Sequence, residues 1–409
     1  MKKLLGVLLA IAMSWPAGAT VLKNVEVVGE IQTIASDVRT NNIDVAGART
    51  YNTGTTARVL AGLSADLVED VTANLLFQYA NEWGRDEAAG RSVEAYERNI
   101  RLVNANVVLH NLFCAFDLTV GRQFYGDEDS AVMYFGPNHY NAEFNGYARS
   151  LDAAKLVYAD DFKAFTLIGG RVNASAYHPS LYTTPGMNSF DMYGADLKLN
   201  LTNELKAQIY AYDFRDINGD NDAGFYGAKL AADIEAFRAS VEYDRNFGGK
   251  RLVKEHSKAH GGQGHMLKAD LALDMGKVTT RGTFLYANET FFAFGNYTPG
   301  LLVGHQLGGN IFDYSNEGVA MFNLGFDFKP FEKWTFALDG YTFQDHRFDH
   351  SATLEADLTA KYAHNEYVEL FAGIGYAKYT KTNGYLTAYS KDRLGSDNVK
   401  GQLGMLIKF

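Results

Sequence analysis

Four oxygen-bearing side chains that can bind a cation lie close together in one segment of the sequence. Asp216, Asn218, Asp220 and Asp222 occupy alternate positions, which is the spacing with which a turning loop wraps Ca²⁺. The segment departs from the usual calcium loop because Asn221 stands where that loop carries its glycine. We therefore treat these four residues as a candidate structural calcium site, with a polar hairpin tip as the alternative. The sequence predicts no other cofactor.

Histidines are the second group of candidate ligands. His256, His260 and His265 lie in one predicted loop, and His346 and His350 lie in another. A transition-metal site needs two or three imidazoles that converge on one point, which a loop by itself does not ensure. The same histidines show no spacing that selects a nucleophile, a base and an orienting group. We therefore expect that the protein is not an enzyme.

The composition narrows the class of protein. Hydrophobic residues make up 47% of the 409 residues and charged residues 21%, which is too apolar for a disordered chain. A net charge of −10 argues against a nucleic-acid-binding surface. The single cysteine, Cys114, excludes an internal disulfide framework. Forty Gly, 27 Phe and 25 Tyr beside six Pro favour many strands and turns.

The N-terminus has the order of a secretory signal peptide. Two lysines at positions 2 and 3 precede an apolar run over residues 4–13, and a small-residue sequence ends at Ala19. We expect that residues 1–19 are removed and that residues 20–409 form one exported domain. The apolar run is too short to cross about 30 Å of hydrocarbon as a helix.

Apolar and polar residues alternate along most of the remaining chain with a period of two, which is typical of strands that face two different solvents. In the last segment, Leu403, Met405 and Ile407 fall on one face, and Lys400 and Gln402 fall on the other. About eighteen such segments begin near residues 24, 56, 71, 99, 113, 151, 163, 190, 205, 225, 237, 264, 278, 318, 334, 352, 367 and 398.

Short connections alternate with long ones along this series of strands. Residues 68–70 and 159–161 form short connections, whereas residues 126–149 and 288–317 form long ones. With both termini on the side of the short turns, this is the plan of an outer-membrane barrel. We predict an all-β fold, a transmembrane antiparallel up-and-down β-barrel of about 18 strands, with 16–18 strands compatible with the pattern. A secreted β-sandwich or solenoid is the alternative.

A barrel in lipid must pair every backbone N–H and C=O between strands, so its sheet must close on itself. The polar faces then line a lumen, which in a barrel of 16 to 18 strands is too wide for side chains to fill. Opposed charges of both signs favour dipolar or charged solutes, unless they neutralise one another along the wall. The register predicts these pore-lining residues: Arg58, Asp117, Lys198, Arg238, Glu242, Asp270, Arg281, Asp339, Glu355, Asp357 and Lys361.

Two long segments, residues 126–149 and 290–312, are candidates for narrowing the pore. Either they fold into the lumen or they cover the outer surface, and the sequence leaves both possibilities open. The chain ends with Phe409 after a run of alternating apolar residues. This ending resembles the C-terminal signal of outer-membrane barrels, which implies recognition by the barrel-assembly machinery.

Three short motifs resemble those of alginate-export-type outer-membrane porins. Residues 118–123, 151–156 and 354–358 are similar, in that order, to the Gly-Arg-Gln, Asp-Gly-Val-Arg-Leu and Glu-Leu-Asp motifs of that family. Ala153 stands where the second motif has glycine. The resemblance implies an eighteen-stranded barrel, and it carries over Arg122 and Lys155 as basic positions of the lumen.

These features predict an integral protein of the bacterial outer membrane with both termini in the periplasm. We expect a porin through which small hydrophilic solutes diffuse passively: ions, saccharides or organic acids. The expected partners are outer-membrane lipid, the barrel-assembly machinery through Phe409, these solutes and further copies of the chain in a homo-oligomer, but no nucleic acid. An adhesin or structural barrel with a plugged lumen and an outer-membrane hydrolase are the alternatives.

Overall fold

Most of the chain after the predicted signal peptide is described by the structure, a computed structural model of the full sequence. The predicted signal peptide lies outside the described residues and stays a prediction. The structure describes residues 22–41, 49–83, 100–142, 148–173, 189–217, 222–248, 263–295, 297–305, 311–313, 318–349, 352–379 and 397–409.

Nearly all of the described residues belong to β-strands, and eighteen strands form one sheet. Two further strands, of two residues each, pair only with one another in a loop. The strands are β1 (Lys23–Asn41), β2 (Arg49–Val68), β3 (Val71–Trp83), β4 (Arg101–Leu112), β5 (Phe116–Gln123), β6 (Tyr125–Gly126), β7 (Tyr134–Phe135), β8 (Leu151–Ala159), β9 (Lys163–Asn173), β10 (Ser189–Asn200), β11 (Leu205–Asp216), β12 (Ala223–Ile234), β13 (Phe237–Gly248), β14 (Gly264–Asp274), β15 (Val278–Ala287), β16 (Val319–Phe331), β17 (Trp334–Gln344), β18 (Thr353–Ala363), β19 (Val368–Lys378) and β20 (Asp397–Lys408).

The sheet closes into a barrel. Each strand of the large sheet pairs antiparallel with the next strand along the chain, and β20 also pairs with β1. At this seam the backbone N–H of Gly29 donates to the carbonyl of Phe409 at 2.8 Å, and the N–H of Phe409 donates to the carbonyl of Gly29 at 3.0 Å. The prediction of an antiparallel up-and-down barrel of about 18 strands is confirmed. The predicted strand starts agree closely, except at β2, which begins earlier than expected.

The two faces of the barrel differ in polarity. In β18, the side chains of Leu354 and Leu358 are each 51% exposed, whereas Glu355 and Asp357 are buried. Successive side chains of a strand point to opposite faces of its sheet, so this alternation places the apolar residues outside and the carboxylates inside. At the end of the barrel that carries the short turns, the rings of Trp334 and Tyr362 lie 4.9 Å apart, where a headgroup region favours aromatic side chains.

The connections follow the predicted alternation of short and long. Strands β2 and β3 are joined by a two-residue turn in which Asp70 adopts a φ of 59°. Aspartate is among the few side chains that tolerate this left-handed conformation, because it bonds locally to the backbone. The connections at the opposite end of the barrel are longer, and several of them lie partly outside the described residues.

No helix among the described residues is long and apolar enough to cross a lipid bilayer.

A pair of neighbouring arginine substitutions tests which face contacts lipid. We expect Leu358→Arg to destabilise the folded protein by about 2–4 kcal/mol, because it places a charge on the outer face near the middle of a strand. Thr359→Arg, on the inner face, is the matched control, and we expect a loss below about 1 kcal/mol. Denaturant titration of refolding in lipid vesicles measures both values, and equal losses would contradict the assignment of the faces.

Candidate functional site

The inner face of the barrel carries most of the charged residues that the sequence singled out. Glu242 pairs in register with Lys229 and Lys268, and Asp339 pairs with Asp357, so these groups share one surface. The register places twelve of the predicted residues on the inner face: Arg58, Asp117, Lys155, Lys198, Arg238, Glu242, Asp270, Arg281, Asp339, Glu355, Asp357 and Lys361. Their contact with a passing solute stays a prediction.

Arg122 is the exception, and its prediction as a lumen residue is wrong. It follows the exposed Val120 by two positions in β5, and it pairs in register with Asp152 of β8. Asp152 itself follows Leu151, which is buried inside the barrel. The guanidinium of Arg122 donates to both carboxylate oxygens of Asp152, at 2.8 and 2.7 Å. The alternation of side chains therefore places this ion pair on the outer face.

One long connection folds into the barrel, and we call its described part, residues 124–142, the first inward loop. Arg58 of β2 is completely buried and donates from Nη1 to the carbonyl of Asn138 at 2.7 Å. Its Nη2 lies 2.5 Å from a carboxylate oxygen of Glu30 in β1. Gln32 of β1 also donates to the carbonyl of Asn138, at 3.1 Å. Inner-face side chains of two strands thus hold the loop through one carbonyl.

His139 bridges the same loop to the wall. Its Nε2 lies 2.9 Å from Glu30 of β1, and its Nδ1 lies 2.7 Å from Glu128 within the loop. Burial by itself lowers the pKa of His139, but the hydrogen bonds and negative charges of Glu128 and Glu30 outweigh this effect and raise the pKa above its ordinary value. The charged imidazolium is the form that donates to both carboxylates at once.

Tyr140 continues this contact around the wall. Its ring packs edge-on against Phe371 of β19, with centroids 5.0 Å apart. The ammonium of Lys361 in β18 lies 3.6 Å from the centre of the ring, within the range of a cation–π interaction. Gln402 of β20 donates to the carbonyl of Tyr140 at 3.2 Å. The first inward loop therefore reaches the inner face of β18, β19, β20, β1 and β2.

A second long connection also enters the barrel, and we call its described part, within residues 288–313, the second inward loop. Residues Gly300–Gly304 form one turn of π-helix, and the carboxylate of Glu355 accepts from the N–H groups of Leu302 and Val303 at 2.6 and 2.9 Å. Asp357 accepts from the N–H of Leu301 at 2.8 Å. Free N–H groups at the start of a helical turn bind anions in this way.

Gly300 is required at the start of this turn. Its φ is 81°, and a Cβ atom there would lie 2.8 Å from Oε1 of Glu355. At the end of the turn, His305 accepts from the ammonium of Lys400 in β20 at 3.0 Å. Burial, together with the neighbouring charge of Lys400, lowers the pKa of His305 well below its ordinary value. The imidazole is therefore neutral and can accept this hydrogen bond.

The two inward loops meet inside the barrel. The N–H of Phe294 donates to the carbonyl of Val132 at 2.8 Å, and the N–H of Tyr134 donates to the carbonyl of Phe294 at 3.4 Å. The ring of Phe294 stacks on Phe214 of β11 with a centroid distance of 4.3 Å and packs edge-on against Phe225 of β12. The described parts of both segments thus lie inside the barrel rather than on its outer surface, and they narrow the lumen.

A further ion-pair network lies on the inner face of β15, β16 and β17. Arg281 donates to both oxygens of Asp327 at 2.8 Å and to both oxygens of Asp339 at 3.1 Å. Asn323 donates to Asp339 at 3.2 Å. One cation therefore faces two carboxylates, which leaves this part of the wall negative. By contrast, the side chain of Lys155 in β8 makes no hydrogen bond or ion pair with any residue that the structure describes.

The sequence did not single out Glu30, Asn138, His139 or Glu128, although these residues hold the first inward loop. The period of two was a sufficient signal for Glu30, which alternates with Gly29 and Ile31 on the outer face of β1. No local pattern marks the other three residues, because they become functional only where their loop meets the wall.

The predicted calcium segment is only partly described. Asp216 ends β11 and Asp222 is exposed, whereas Asn218 and Asp220 lie outside the described residues, so the calcium hypothesis stays a prediction. His256, His260 and His350 are also outside them. Among the residues that the structure describes, no group of three or more His, Cys, Asp or Glu side chains is placed to hold a metal ion.

A closed eighteen-stranded sheet with an apolar outside, ion pairs inside and two inward loops defines a transmembrane β-barrel. The chain is similar to solved structures of outer-membrane proteins at low sequence identity. OccK9 (OpdG) from Pseudomonas aeruginosa matches with a TM-score of 0.64 and 12% identity, over 95% of this chain and 99% of that chain. OprD from the same organism has a TM-score of 0.62 and 9% identity over 94% of each chain. OccAB1 from Acinetobacter baumannii has a TM-score of 0.62 and 10% identity, over 94% of this chain and 97% of that chain.

These comparisons correct the family resemblance drawn from the sequence. The similar structures are OprD and Occ proteins rather than alginate-export-type porins, so that resemblance is wrong. Arg122, which belongs to the first of the three motifs, lies outside the lumen, so the motif does not have the role that the resemblance implied. No protein-family model and no curated protein sequence matches the chain.

The contacts of His139 with Glu30 and Glu128 predict that the first inward loop is bound to the wall more strongly at low pH than at high pH. The folded-state pKa is raised above the ordinary 6.5, so the bridge contributes its full stability below pH 6.5 and loses it as pH rises through the raised value. We expect amide hydrogen exchange in residues 124–142 to increase over that range, after correction for the intrinsic rate. His139→Gln removes the titrating group and is the control. A pH response that persists in this variant would show that another group is responsible.

The hydrogen bonds of Glu355 predict a separate effect on the stability of the second inward loop. We expect Glu355→Leu to leave the N–H groups of Leu302 and Val303 without their acceptor, which costs about 1–3 kcal/mol for each buried group left unpaired. Hydrogen exchange at residues 301–303 then accelerates. Asp327→Asn removes a carboxylate of the same inner face that binds Arg281, and it serves as the matched control. Equal acceleration in both variants would contradict a specific anchoring role for Glu355.

Proposed function

We propose that the protein is a porin of the bacterial outer membrane that conducts small hydrophilic solutes by passive diffusion. The observation that carries this proposal is the polarity of the closed sheet, with apolar side chains outside and charged side chains on the inner face of the same strands. Lipid can contact the first surface, and water and solutes can contact the second. The fold shared with OprD and Occ outer-membrane porins supports the same conclusion.

The width of the barrel supports conduction rather than a filled interior. Barrels of 16 to 18 strands are too wide for wall side chains alone to fill, and here two inward loops occupy part of the space. Each loop is fixed to the wall by buried hydrogen bonds, at Arg58 for the first loop and at Glu355 for the second. We infer that the loops set the cross-section of the pore and leave a hydrated passage beside them.

The inner charges support selectivity for ions and for polar solutes such as saccharides or organic acids. The network around Arg281 leaves an excess of negative charge on β15–β17, whereas Lys155 presents positive charge on β8. Lys198 of β10 lies 3.4 Å from Asp127 of the first inward loop, which balances its charge. Acidic and basic groups on different parts of a low-dielectric wall create a transverse field. Solutes with their own dipoles or charges replace the hydrogen bonds of the water that such a field orders.

We propose transport rather than catalysis, because the structurally similar proteins are porins. The first described residues of β1 and the end of β20 lie at the short-turn end of the barrel, and we assign this end to the periplasm by analogy with barrels that have short periplasmic turns. Phe409 directly follows the last strand at that side, where the barrel-assembly machinery is proposed to recognise it. A calcium ion bound at Asp216–Asp222 remains part of the proposal, to be tested by calorimetry of the purified protein with Ca²⁺.

Planar-bilayer recording tests the proposed function directly. We expect the purified protein to produce discrete conductance steps that do not require an energy source. The absence of steps from protein with a normal barrel fold would favour an adhesin or a structural barrel with a plugged lumen. Ester or peptide hydrolysis that is lost on replacement of one serine and one histidine would favour the hydrolase alternative.

Two arginines of opposite orientation test the role of the inner charges. We expect Arg281→Glu to raise the preference for cations on the order of two-fold, because it adds negative charge to a wall that already carries Asp327 and Asp339. Arg122→Glu, on the outer face, is the control and leaves the preference unchanged. Reversal potentials in a salt gradient measure both. An unchanged preference in Arg281→Glu would contradict contact between this network and the ions.

A further inference from the structure

The outer face of the barrel is not uniform around its circumference. On β9 only Phe165, Leu167 and Gly169 lie between the outward-facing charges of Lys163 and Arg171. At about 3.3 Å per residue and a tilt near 40°, this interval spans about 20 Å of membrane, less than the usual band of about 25 Å. On the opposite side of the barrel, the same length of β18, from Leu354 to Tyr362, carries five uncharged outward residues and no charge at either end.

A row of alternating charges bounds the short apolar interval of β9 at its Arg171 end. Arg122, Asp152, Arg171, Asp191 and Arg215 occupy consecutive register-paired positions on β5, β8, β9, β10 and β11. Arg122 binds Asp152 through two contacts, and Arg171 donates to the two oxygens of Asp191 at 2.8 and 3.3 Å. The side chain of Arg171 nevertheless remains 57% exposed. Arg215 donates to Asp213 of its own strand at 2.9 Å, so the three arginines of the row are balanced by three aspartates. The row lies at the edge of the apolar band on the long-loop side.

An apolar groove of about 650 Å³ lies beside this row. Ala154 and Gly169, which pair in register on β8 and β9, lie next to Asp152 and Arg171 toward the middle of the band. Leu156 and Tyr193 line the groove beside them, and the exposed ring of Tyr193 rises above the small residues. Small residues let two protein surfaces approach closely in a membrane, where packing and polar contacts drive association.

We propose that a second copy of this chain docks on this surface, about a two-fold axis that is normal to the membrane and passes between β8 and β9. Two copies inserted in the same direction can use one patch on both partners only about such an axis. Asp152 then faces Arg171 of the partner subunit, and Arg171 faces Asp152 of the partner subunit. The alternation of charge makes the patch self-complementary at its centre.

The physical features of the patch favour a second copy over lipid as the occupant. An anionic lipid headgroup is best bound by an excess of positive charge, whereas Arg122, Asp152, Arg171 and Asp191 form neutral pairs. Charges on a surface that contacts lipid cost free energy that depends on their depth, and a short apolar interval strains the bilayer. Association of two barrels removes the row of charges and the adjoining groove from contact with lipid, which relieves both costs.

Cross-linking in native outer membranes tests the proposal. Gly169→Cys, in a Cys114→Ser background that removes the exposed native thiol, places one reactive group near the proposed axis. A Cβ at this position meets only the ring of Tyr193, at an ordinary 3.5 Å. Gly340→Cys is the matched control, because Gly340 of β17 is also outward, has space for a Cβ and lies on the opposite side of the barrel. With a short bifunctional maleimide, we expect about ten-fold more covalent dimer from Gly169→Cys than from Gly340→Cys.

A steric variant separates a specific interface from random collision. We expect Ala154→Trp to reduce cross-linking at Gly169→Cys about ten-fold, because the indole ring prevents the close approach of two copies. Ala356→Trp, on the outer face of β18, leaves cross-linking unchanged. Single-channel conductance of each variant confirms that its barrel is folded, and this measurement is independent of the dimer.

Three results would overturn the proposal. These are equal dimer yields from Gly169→Cys and Gly340→Cys, no dimer from either variant, and undiminished dimer in Ala154→Trp. The second result would leave lipid as the occupant of the groove. None of them bears on conduction, so a failure of the dimer is distinguishable from a failure of the proposed porin function.

Discussion

The pairing of every backbone N–H and C=O within a membrane is the constraint on which this structure depends. A strand in hydrocarbon has no water to satisfy its polar groups, so an open edge is too costly and the sheet must close. The contact between Gly29 and Phe409 completes this closure by joining the last residue of the chain to the first strand. Once the sheet is closed, the alternation of side chains creates two surfaces of different polarity without any further element.

The same constraint governs the two inward loops. A loop that enters a barrel removes its backbone groups from bulk water, and each buried group then needs a partner. The wall supplies these partners as side chains: Arg58 for a carbonyl of the first loop, and the carboxylates of Glu355 and Asp357 for three N–H groups of the second. Charged residues of the inner face therefore have two roles. Some fix the loops, and others, such as Lys155, have a side chain without such a partner among the described residues.

The position of Arg122 on the outer face shows which local sequence signals are reliable in such a chain. The alternation that runs through Val120 places Arg122 outside, and the structure agrees. The motif resemblance instead placed it in the lumen, because a short match carries no information about which face a residue occupies. The outward charges of β5, β8 and β9 also limit the apolar surface of this part of the wall. Its apolar series is short and is bounded by ion pairs.

The sequence by itself determined the number of strands to within about two, nearly all of their starting points and the face of most of the charged residues that it singled out, because a period of two is a property of the extended backbone. It did not determine where the long connections lie, since loops have no comparable period. Contacts between residues far apart in the chain, such as His139 with Glu30 and Phe294 with Phe214, place those loops inside. Only the closed tertiary structure brings such residues together, because the position of a loop depends on the wall that surrounds it.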